Sequence, residues 1–327
     1  MPNRTLALSI LLLLAACGGR SGADIRFGEL EQTLRVAFSP ISSIDFSPDG
    51  RYLAAASLDG KVRVYDWSAR AVGKPLVELA GSERIGYPVL FDPAGKRLFV
   101  GGKTPTVYNT ADWAEAGKLQ AVHSWVYDIA FSADGKLFAT AGGDDKTVGV
   151  WNAATLKLER QLKGHTDKIF AVAFDRRGGS LVSGGRDRTV RVYRIVEGWK
   201  ETKVVTRHTA AVMSLTMSPN ENICVSTSFN GEALLLEVGD YDERDALRRH
   251  ADSATCAGFS RDGRFLVTGS WDNFVYLYDR NGGDDPVRRY ENRGGKVNDA
   301  AIHPDGSAIA AGSEDGTVRI WKVPSTR

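Results

Sequence analysis

The stretch GSWDNFVYLYD, residues 269–279, reads as the end of one strand, a tight turn at Asp272 and Asn273, and a second strand. Its bulky Trp271 stands where turns usually carry small polar residues. The same pattern recurs as GSEDGTVRIWK at 312–322, GGRDRTVRVYR at 184–194 and ASLDGKVRVYD at 56–66. The chain is therefore a repeat array. A turn such as FSPDGR or FSADGK precedes each copy, and aligning these turns puts Gly50, Gly95, Gly135, Gly178, Glu221, Gly263 and Gly306 at one position. The successive spacings are 45, 40, 43, 43, 42 and 43 residues.

A length of 327 residues would ordinarily suggest two domains, but a repeat this regular overrides that expectation, because one unit cannot bury its own apolar face. The units run over about 25–67, 68–113, 114–153, 154–195, 196–238, 239–280 and 281–327. Within a unit the period is two: AVAFDRRGGSLVSGGRDRTVRVYRI, 171–195, holds three strand patterns, and LERQLKG at 158–164 supplies an example of a fourth. Seven four-stranded antiparallel units predict an all-β propeller. The last unit stops after its third strand, TVRIWKV, so the segment near Leu30 to Phe38 is expected to supply the missing one and close the ring. Forty-two basic and 40 acidic residues leave a formal charge of +2, which carries no electrostatic footprint for nucleic acid.

The N-terminus, MPNRTLALSILLLLAACGGRSGAD, has the layout of an export signal: Arg4, an apolar run from Leu6 to Ala16, then small residues leading to Cys17. A run of 11 residues is too short to span a bilayer, which takes about 20. Leu14-Ala15-Ala16-Cys17 resembles the lipobox of bacterial lipoproteins. The resemblance implies that 1–16 is removed, that Cys17 is lipidated, and that 17–24 is a flexible tether reaching about 15 Å. Gly18 rather than Asp after the cysteine implies, in Gram-negative members of that class, an outer-membrane destination; the propeller is then expected to face the periplasm.

From about residue 30 to 327 the chain resembles the seven-bladed WD-repeat propellers. Their pattern is Gly-His before the inner strand, Ser or Thr on the second strand, Asp in the next turn, and Trp-Asp ending the third. The fourth repeat matches with Gly164-His165, Ser183, Asp187 and Tyr193, and the sixth with His250, Thr268, Asp272 and Tyr278-Asp279. The third offers His123, Trp151-Asn152 and a doubled Asp144-Asp145, with Thr140 and Ala141 both open as its hydroxyl position. The first and seventh keep their turn acids Asp59 and Asp315 without the histidine, the fifth keeps His208 and Ser226 but carries Asn230, and the second, GGKTPTVYNT, lacks both His and Asp. Blades two and five are accordingly expected to be the least regular.

The resemblance implies a non-catalytic protein-binding scaffold. His123, His165, His208 and His250 occupy the same point of different repeats, so the ring turns them apart and they do not share an ion at the ~2 Å zinc requires. Each is read instead as a brace for its own blade. His303, in the IHPDG turn, has no acidic or cysteine neighbour placed to build a site. No nucleophile elbow, phosphate loop or calcium loop occurs, and neither a metal nor another cofactor is implied. Cys224 and Cys256 fall in different blades and are read as buried free thiols.

In WD-repeat propellers the residue before the turn acid and two positions of the inner strand face one end of the ring and tend to contact partners. Here those positions collect Tyr87, Trp125, Tyr127, Phe170, Met213, Phe229 and Trp271, with Lys168, Arg186 and Lys296 among them. Aromatic and cationic residues in this density have the composition of an interface. The expected partner is a protein or peptide bound by a monomeric ring anchored to the membrane through its lipid. The alternatives are an envelope enzyme, a ligand or carbohydrate binder at the channel mouth, or a factor in outer-membrane protein assembly.

Overall fold

A computed structural model of the chain describes residues 25–68, 73–83, 86–120 and 123–324. The first strand, β1 (Leu30–Arg35), belongs to the last blade. Blade one holds β2 (Ile41–Phe46), β3 (Tyr52–Ser57), β4 (Asp59–Asp66) and β5 (Val77–Glu83). Blade two holds β6 (Val89–Phe91), β7 (Arg97–Val100), β8 (Thr106–Asn109) and β9 (Glu115–Lys118). Blade three follows with β10 (Val126–Phe131), β11 (Leu137–Gly142), β12 (Val148–Asn152) and β13 (Leu158–Leu162). Blade four has β14 (Ile169–Phe174), β15 (Ser180–Gly185), β16 (Val190–Arg194) and β17 (Lys200–Val205), and blade five β18 (Val212–Met217), β19 (Ile223–Ser228), β20 (Ala233–Glu237) and β21 (Glu243–Leu247). Blade six has β22 (Ala254–Phe259), β23 (Phe265–Ser270), β24 (Phe274–Asp279) and β25 (Pro286–Glu291), and blade seven β26 (Val297–Ile302), β27 (Ala308–Ser313) and β28 (Thr317–Lys322).

The ring is a seven-bladed propeller of four-stranded antiparallel sheets. In blades one to six the four strands pair in chain order, whereas blade seven is ordered β1-β28-β27-β26, with Leu34 opposite Val318 and Arg35 opposite Thr317. Ring closure is thus antiparallel pairing of the first strand with the last. The segment before β1 adds a second hold: the Gly28 amide donates to the Arg289 carbonyl at 2.8 Å, and the Arg289 amide to the Arg26 carbonyl at 3.0 Å. Residues 26–28 therefore run parallel to β25 of blade six before the chain crosses to blade seven.

Apolar residues fill the space between neighbouring blades, as where Ala171, Val182, Val190 and Val192 of blade four meet Val212, Leu215, Cys224 and Leu234 of blade five. Cys224 and Cys256 are buried and unpaired. In the turn after the inner strand, Gly50, Gly95, Gly135, Gly178, Gly263 and Gly306 all have φ between 66° and 75°, a region glycine enters without steric cost. Glu221, the exception in the alignment, is not among the positive-φ residues, so blade five turns differently there.

Blade two is the least regular, with strands of 3, 4, 4 and 4 residues. It leans on blade three through paired backbone bonds between Gly102 and Val126, both 2.9 Å. Blade five departs from expectation: its strands are 6, 6, 5 and 5 residues long, the same as in blade three and within a residue per strand of its neighbours. Its weakened brace costs it no strand length, because strand length follows from the apolar contacts on both faces and the brace acts only at one end.

Candidate functional site

The braces come first, because they hold the end of the ring that carries the aromatic residues. In blade three His123 meets Asp145 through Nδ1 at 2.7 Å and Thr140 through Nε2 at 2.8 Å, and Trp151 Nε1 donates to the same Thr140 hydroxyl at 2.8 Å. The open choices resolve to Thr140 and Asp145, and Asp144 instead pairs with Lys168 at 3.0 Å. Blade four repeats the arrangement with His165 between Asp187, at 2.9 Å, and Ser183, at 2.7 Å. Blade six repeats it with His250 between Asp272 and Thr268, both 2.9 Å. The fourth members differ. Tyr193 donates to the Lys163 carbonyl at 3.4 Å, while Tyr278 is fully buried with its hydroxyl beside Thr268.

Each of these histidines is engaged inside its own blade. Among the described residues no group of three or more His, Cys, Asp or Glu side chains is placed to hold a metal ion. His303 requires a correction: Asp305, two residues away, does contact it at 2.6 Å, and its other nitrogen donates to the Gly50 carbonyl at 2.9 Å. The ring also stacks on Trp67 at 5.4 Å, so His303 ties blade seven to blade one at the opposite end from the rim.

In blades one and seven, which lack the histidine, a third-strand arginine takes over. Arg63 bonds Asp59 at 2.9 Å and Glu78 at 3.0 Å, and Arg319 spans Asp315, Asn292 and Thr317 at 2.7–2.8 Å. VRVYD and VRIWK carry this arginine in the sequence, and VRVYR of blade four carries one as well, beside its histidine. Blade five has neither device complete. His208 reaches Ser226 at 2.8 Å, but its Nδ1 has no partner, and burial lowers its pKa to about 4. Replacing Asn230 with Asp should supply that partner and raise stability by about 1 kcal/mol. Thermal unfolding of Asn230→Asp beside the parent checks this; an unchanged or lowered midpoint would contradict the assignment.

A β-bulge near the start of the inner strand explains which side chains face the channel mouth. In six blades the pairing register slips at one residue: Ser42, Tyr127, Phe170, Met213, Thr255 and Asn298. A bulge re-aims the side chain of the extra residue. On three blades that residue is polar and ties itself to the next blade: Ser42 Oγ donates to Tyr87 O at 3.0 Å, Thr255 Oγ1 to Val297 O at 2.9 Å, and Asn298 Nδ2 to Ile41 O at 2.9 Å. On blades three to five it is Tyr127, Phe170 and Met213, which instead give the mouth an apolar half.

Tyr127 and Phe170 meet edge to face at 5.3 Å, with Trp125 6.5 Å from Tyr127 and its Nε1 donating to Gly86 O at 3.0 Å. Across the mouth Trp271 packs on Phe229 at 5.3 Å, donates to Asn298 Oδ1 at 3.2 Å, and lies 4.3 Å beneath the Lys296 ammonium. This is the role of an indole in a turn: it lies on the rim, held from three sides. Lys168 and Arg186 sit on the same end beside Asp144 and Asp167. Tyr87 is the exception to the expected set. The pairs between β6 and β7 show no register slip to turn it outward, and it is only 2 % exposed, donating to Ser57 O at 2.8 Å and Lys61 O at 3.0 Å. Phe38, which sequence reasoning did not place on this rim, projects from the loop after β1 and is 98 % exposed.

Inside the mouth is a cavity of about 360 Å³ whose lining includes Leu58, Pro88, Asp128, Ser214, Cys256 and Asp299. Three inner-strand carboxylates each accept an amide from the following blade: Asp45 from Phe91 at 2.7 Å, Asp128 from Val172 at 2.9 Å and Asp299 from Ile44 at 2.9 Å. Burial is the main cause that raises their pKa values, to about 8, 7 and 6 respectively, and the charge of Asp299 adds to the rise at the other two.

A model of the WD domain, G-beta repeat, matches residues 28–66, 117–152, 156–194, 199–235, 243–279 and 284–322. The chain belongs to the WD40-repeat family. The matched WD40 windows pass over 67–116, the stretch that contains most of blade two. The chain is similar to a guanine nucleotide-binding protein subunit beta of Oryza sativa subsp. japonica, 25% identical over 235 residues, which cover 68% of this chain and 62% of that one. It thus spans about six tenths of that relative's length. A serine-threonine kinase receptor-associated protein of Homo sapiens is 27% identical over 76% of this chain and 80% of its own. The transcriptional corepressor LEUNIG_HOMOLOG of Arabidopsis thaliana is 28% identical over 62% of this WD40 chain and 25% of its own.

Proposed function

We propose that the chain is a non-catalytic scaffold of a bacterial cell envelope, held by a lipid on Cys17, that binds a protein through the aromatic end of its ring. The observation that carries the binding half is the mouth itself: half-exposed Trp125, Tyr127, Phe170, Met213 and Trp271 and the exposed Phe229 gathered around one opening. Rigid aromatic side chains lose little entropy on binding, and a few such anchors are worth about 2 kcal/mol or more each. WD40 relatives named as a subunit and as a receptor-associated protein support a role exercised through other proteins. The anchoring half rests on Leu14-Ala15-Ala16-Cys17, which lies outside the described residues. Among the described residues no helix is long and apolar enough to cross a membrane.

Cross-linked pull-down from membranes tests the binding half, comparing the parent with a variant carrying Trp125→Ser, Phe170→Ser and Trp271→Ser. The expected result is a protein recovered by the parent and lost, by an order of magnitude or more, from an equally folded variant. Recovery of the same proteins by both would remove the rim from the reading and turn attention to small ligands in the channel. The mass of the mature N-terminus tests the anchor: an unmodified Cys17 would remove it.

A further inference from the structure

Two features of the mouth together select what can enter it. The slipped inner-strand residues of blades three to five give it an apolar half, Tyr127, Phe170 and Met213, while in blades three and seven the residue after the slip is an acid, Asp128 and Asp299. Both carboxyls line the cavity and keep part of their surface open. Asp128 Oδ1 accepts the Ile129 amide at 2.8 Å and its Oδ2 the Val172 amide at 2.9 Å, and Asp299 accepts the Ala300 and Ile44 amides in the same way, both at 2.9 Å, with the Ser43 hydroxyl beside them. These bonds fix the acids against the channel wall. A carboxylate has about four acceptor positions, so each still has room for a donor arriving from the mouth.

Among the described residues that line the cavity there is no Lys, Arg or His, and the rim lysines are engaged elsewhere, Lys168 with Asp144 at 3.0 Å and Lys296 over the Trp271 ring at 4.3 Å. An apolar side chain entering the mouth would strip water from two acids without replacing its hydrogen bonds, and an acidic one would be repelled by both. A basic side chain meets neither cost. Its charge offsets the carboxylates, its aliphatic stem lies along the apolar half, and its cationic head is attracted to aromatic ring faces. We infer that the protein partner inserts a lysine or arginine side chain into the mouth, its cationic head paired with Asp128 and Asp299 and its stem against Tyr127, Phe170 and Met213. The inference rests on the rim binding proposed above and names the chemistry of what the rim receives.

The test uses the full chain labelled with carbon-13 at its methionine methyls and studied by NMR at about pH 8, above the folded pKa values of about 7 and 6 of Asp128 and Asp299. Met213 lines the cavity, and Met217, farther along the same strand, does not, so one molecule carries both a reporter and its control. The probes are n-butylguanidinium and n-butylammonium, which stand for the two basic side chains, and neutral n-butylurea. The expected result is a saturable shift of the Met213 methyl, without one at Met217, from at least one cation, and binding of butylurea weaker by about tenfold or more. Asp128→Asn combined with Asp299→Asn should weaken the cation by a similar factor, and its side-chain carbonyls still accept the Val172 and Ile44 amides. The butylurea comparison needs no variant and decides the matter if that one does not fold. No shift at Met213, equal binding of butylurea, or undiminished cation binding by the folded variant overturns the inference. Pull-down separates this failure from failure of the rim: a partner kept by Asp128→Asn with Asp299→Asn but lost with Trp125→Ser, Phe170→Ser and Trp271→Ser removes the basic side chain and leaves the rim standing. A partner kept by both variants removes both.

Discussion

Lowering the pH from about 8.5 to about 6.5 is expected to raise the unfolding free energy by about 2–3 kcal/mol. The cause is the channel-side carboxylates. Asp45, Asp128 and Asp299 rise from 3.8 in the unfolded chain to about 8, 7 and 6 in the ring. A carboxyl with a raised folded pKa binds its proton more tightly in the folded state, so its contribution is fully present below the unfolded value and is lost as pH climbs through the folded one. The loss begins near pH 4, and the part of it that falls between pH 6.5 and 8.5 is about 2 kcal/mol for Asp45 and about 1 kcal/mol for Asp128. His208 works in the other direction, since its folded value is lowered from 6.5 to about 4 and its contribution is lost as pH falls through that range. Most of its effect lies below pH 6.5, outside the window chosen. Denaturant midpoints at pH 6.5, 7.5 and 8.5 check the slope. Asp45→Asn keeps an acceptor for the Phe91 amide and should flatten the slope to below about 1 kcal/mol while raising stability at pH 8.5 by about 2 kcal/mol. A parent that is equally stable across the window, or an Asp45→Asn slope identical to the parent's, would show that these carboxyls are solvated and ordinary.

Removing residues 25–35 is expected to abolish the monomeric ring. The deletion takes away β1, leaves Thr317 to Trp321 of β28 without their backbone partners, and uncovers the side of blade seven that Leu34 buries. An open, apolar edge strand invites pairing with another chain. Size-exclusion chromatography with light scattering should show aggregates or exchanged dimers in place of a single species. Because β28 and β1 are antiparallel neighbours, moving 28–35 behind Pro324 through a short Gly-Ser link rebuilds blade seven as a contiguous four-stranded sheet, and this permuted chain should return to the monomer. A truncated chain that stays monomeric and unfolds as cooperatively as the parent would mean that β1 decorates the ring without closing it.

Much of the fold was legible because its signals are local and repeated. The two-residue alternation and the glycine carried by six of the seven first turns lie within a few residues of one another, and the turns recur at a regular period. The braces were legible for the same reason in blades four and six, and the missing hydroxyl choice in blade three was settled only by register, since a one-residue longer turn shifts which residue faces His123. Tyr87 was misplaced on the rim because its exposure depends on whether a bulge forms, and sequence spacing alone does not reveal a bulge. Asp45, Asp128 and Asp299 were passed over since their partners are backbone amides of the next blade, 46 and 44 residues away for the first two and 255 residues away across the ring closure for Asp299, which leave no mark in the residue pattern. Phe38 was assigned to the closing strand; the strand ends at Arg35 and leaves it in the loop, free to project.

The pairing of Leu30 with Trp321 has a consequence for the order of events during synthesis. Six blades contain all their own strands and can form as each is synthesised, but the seventh waits for β28 to meet β1. Until then the chain carries β1 as an orphan strand, and the first and sixth blades each present an apolar flank. A ring made in this way cannot be finished in halves. A product that stops before β28 exposes surface that the closed ring hides, so reaching β28 is the condition that separates a durable product from one recognised as damaged.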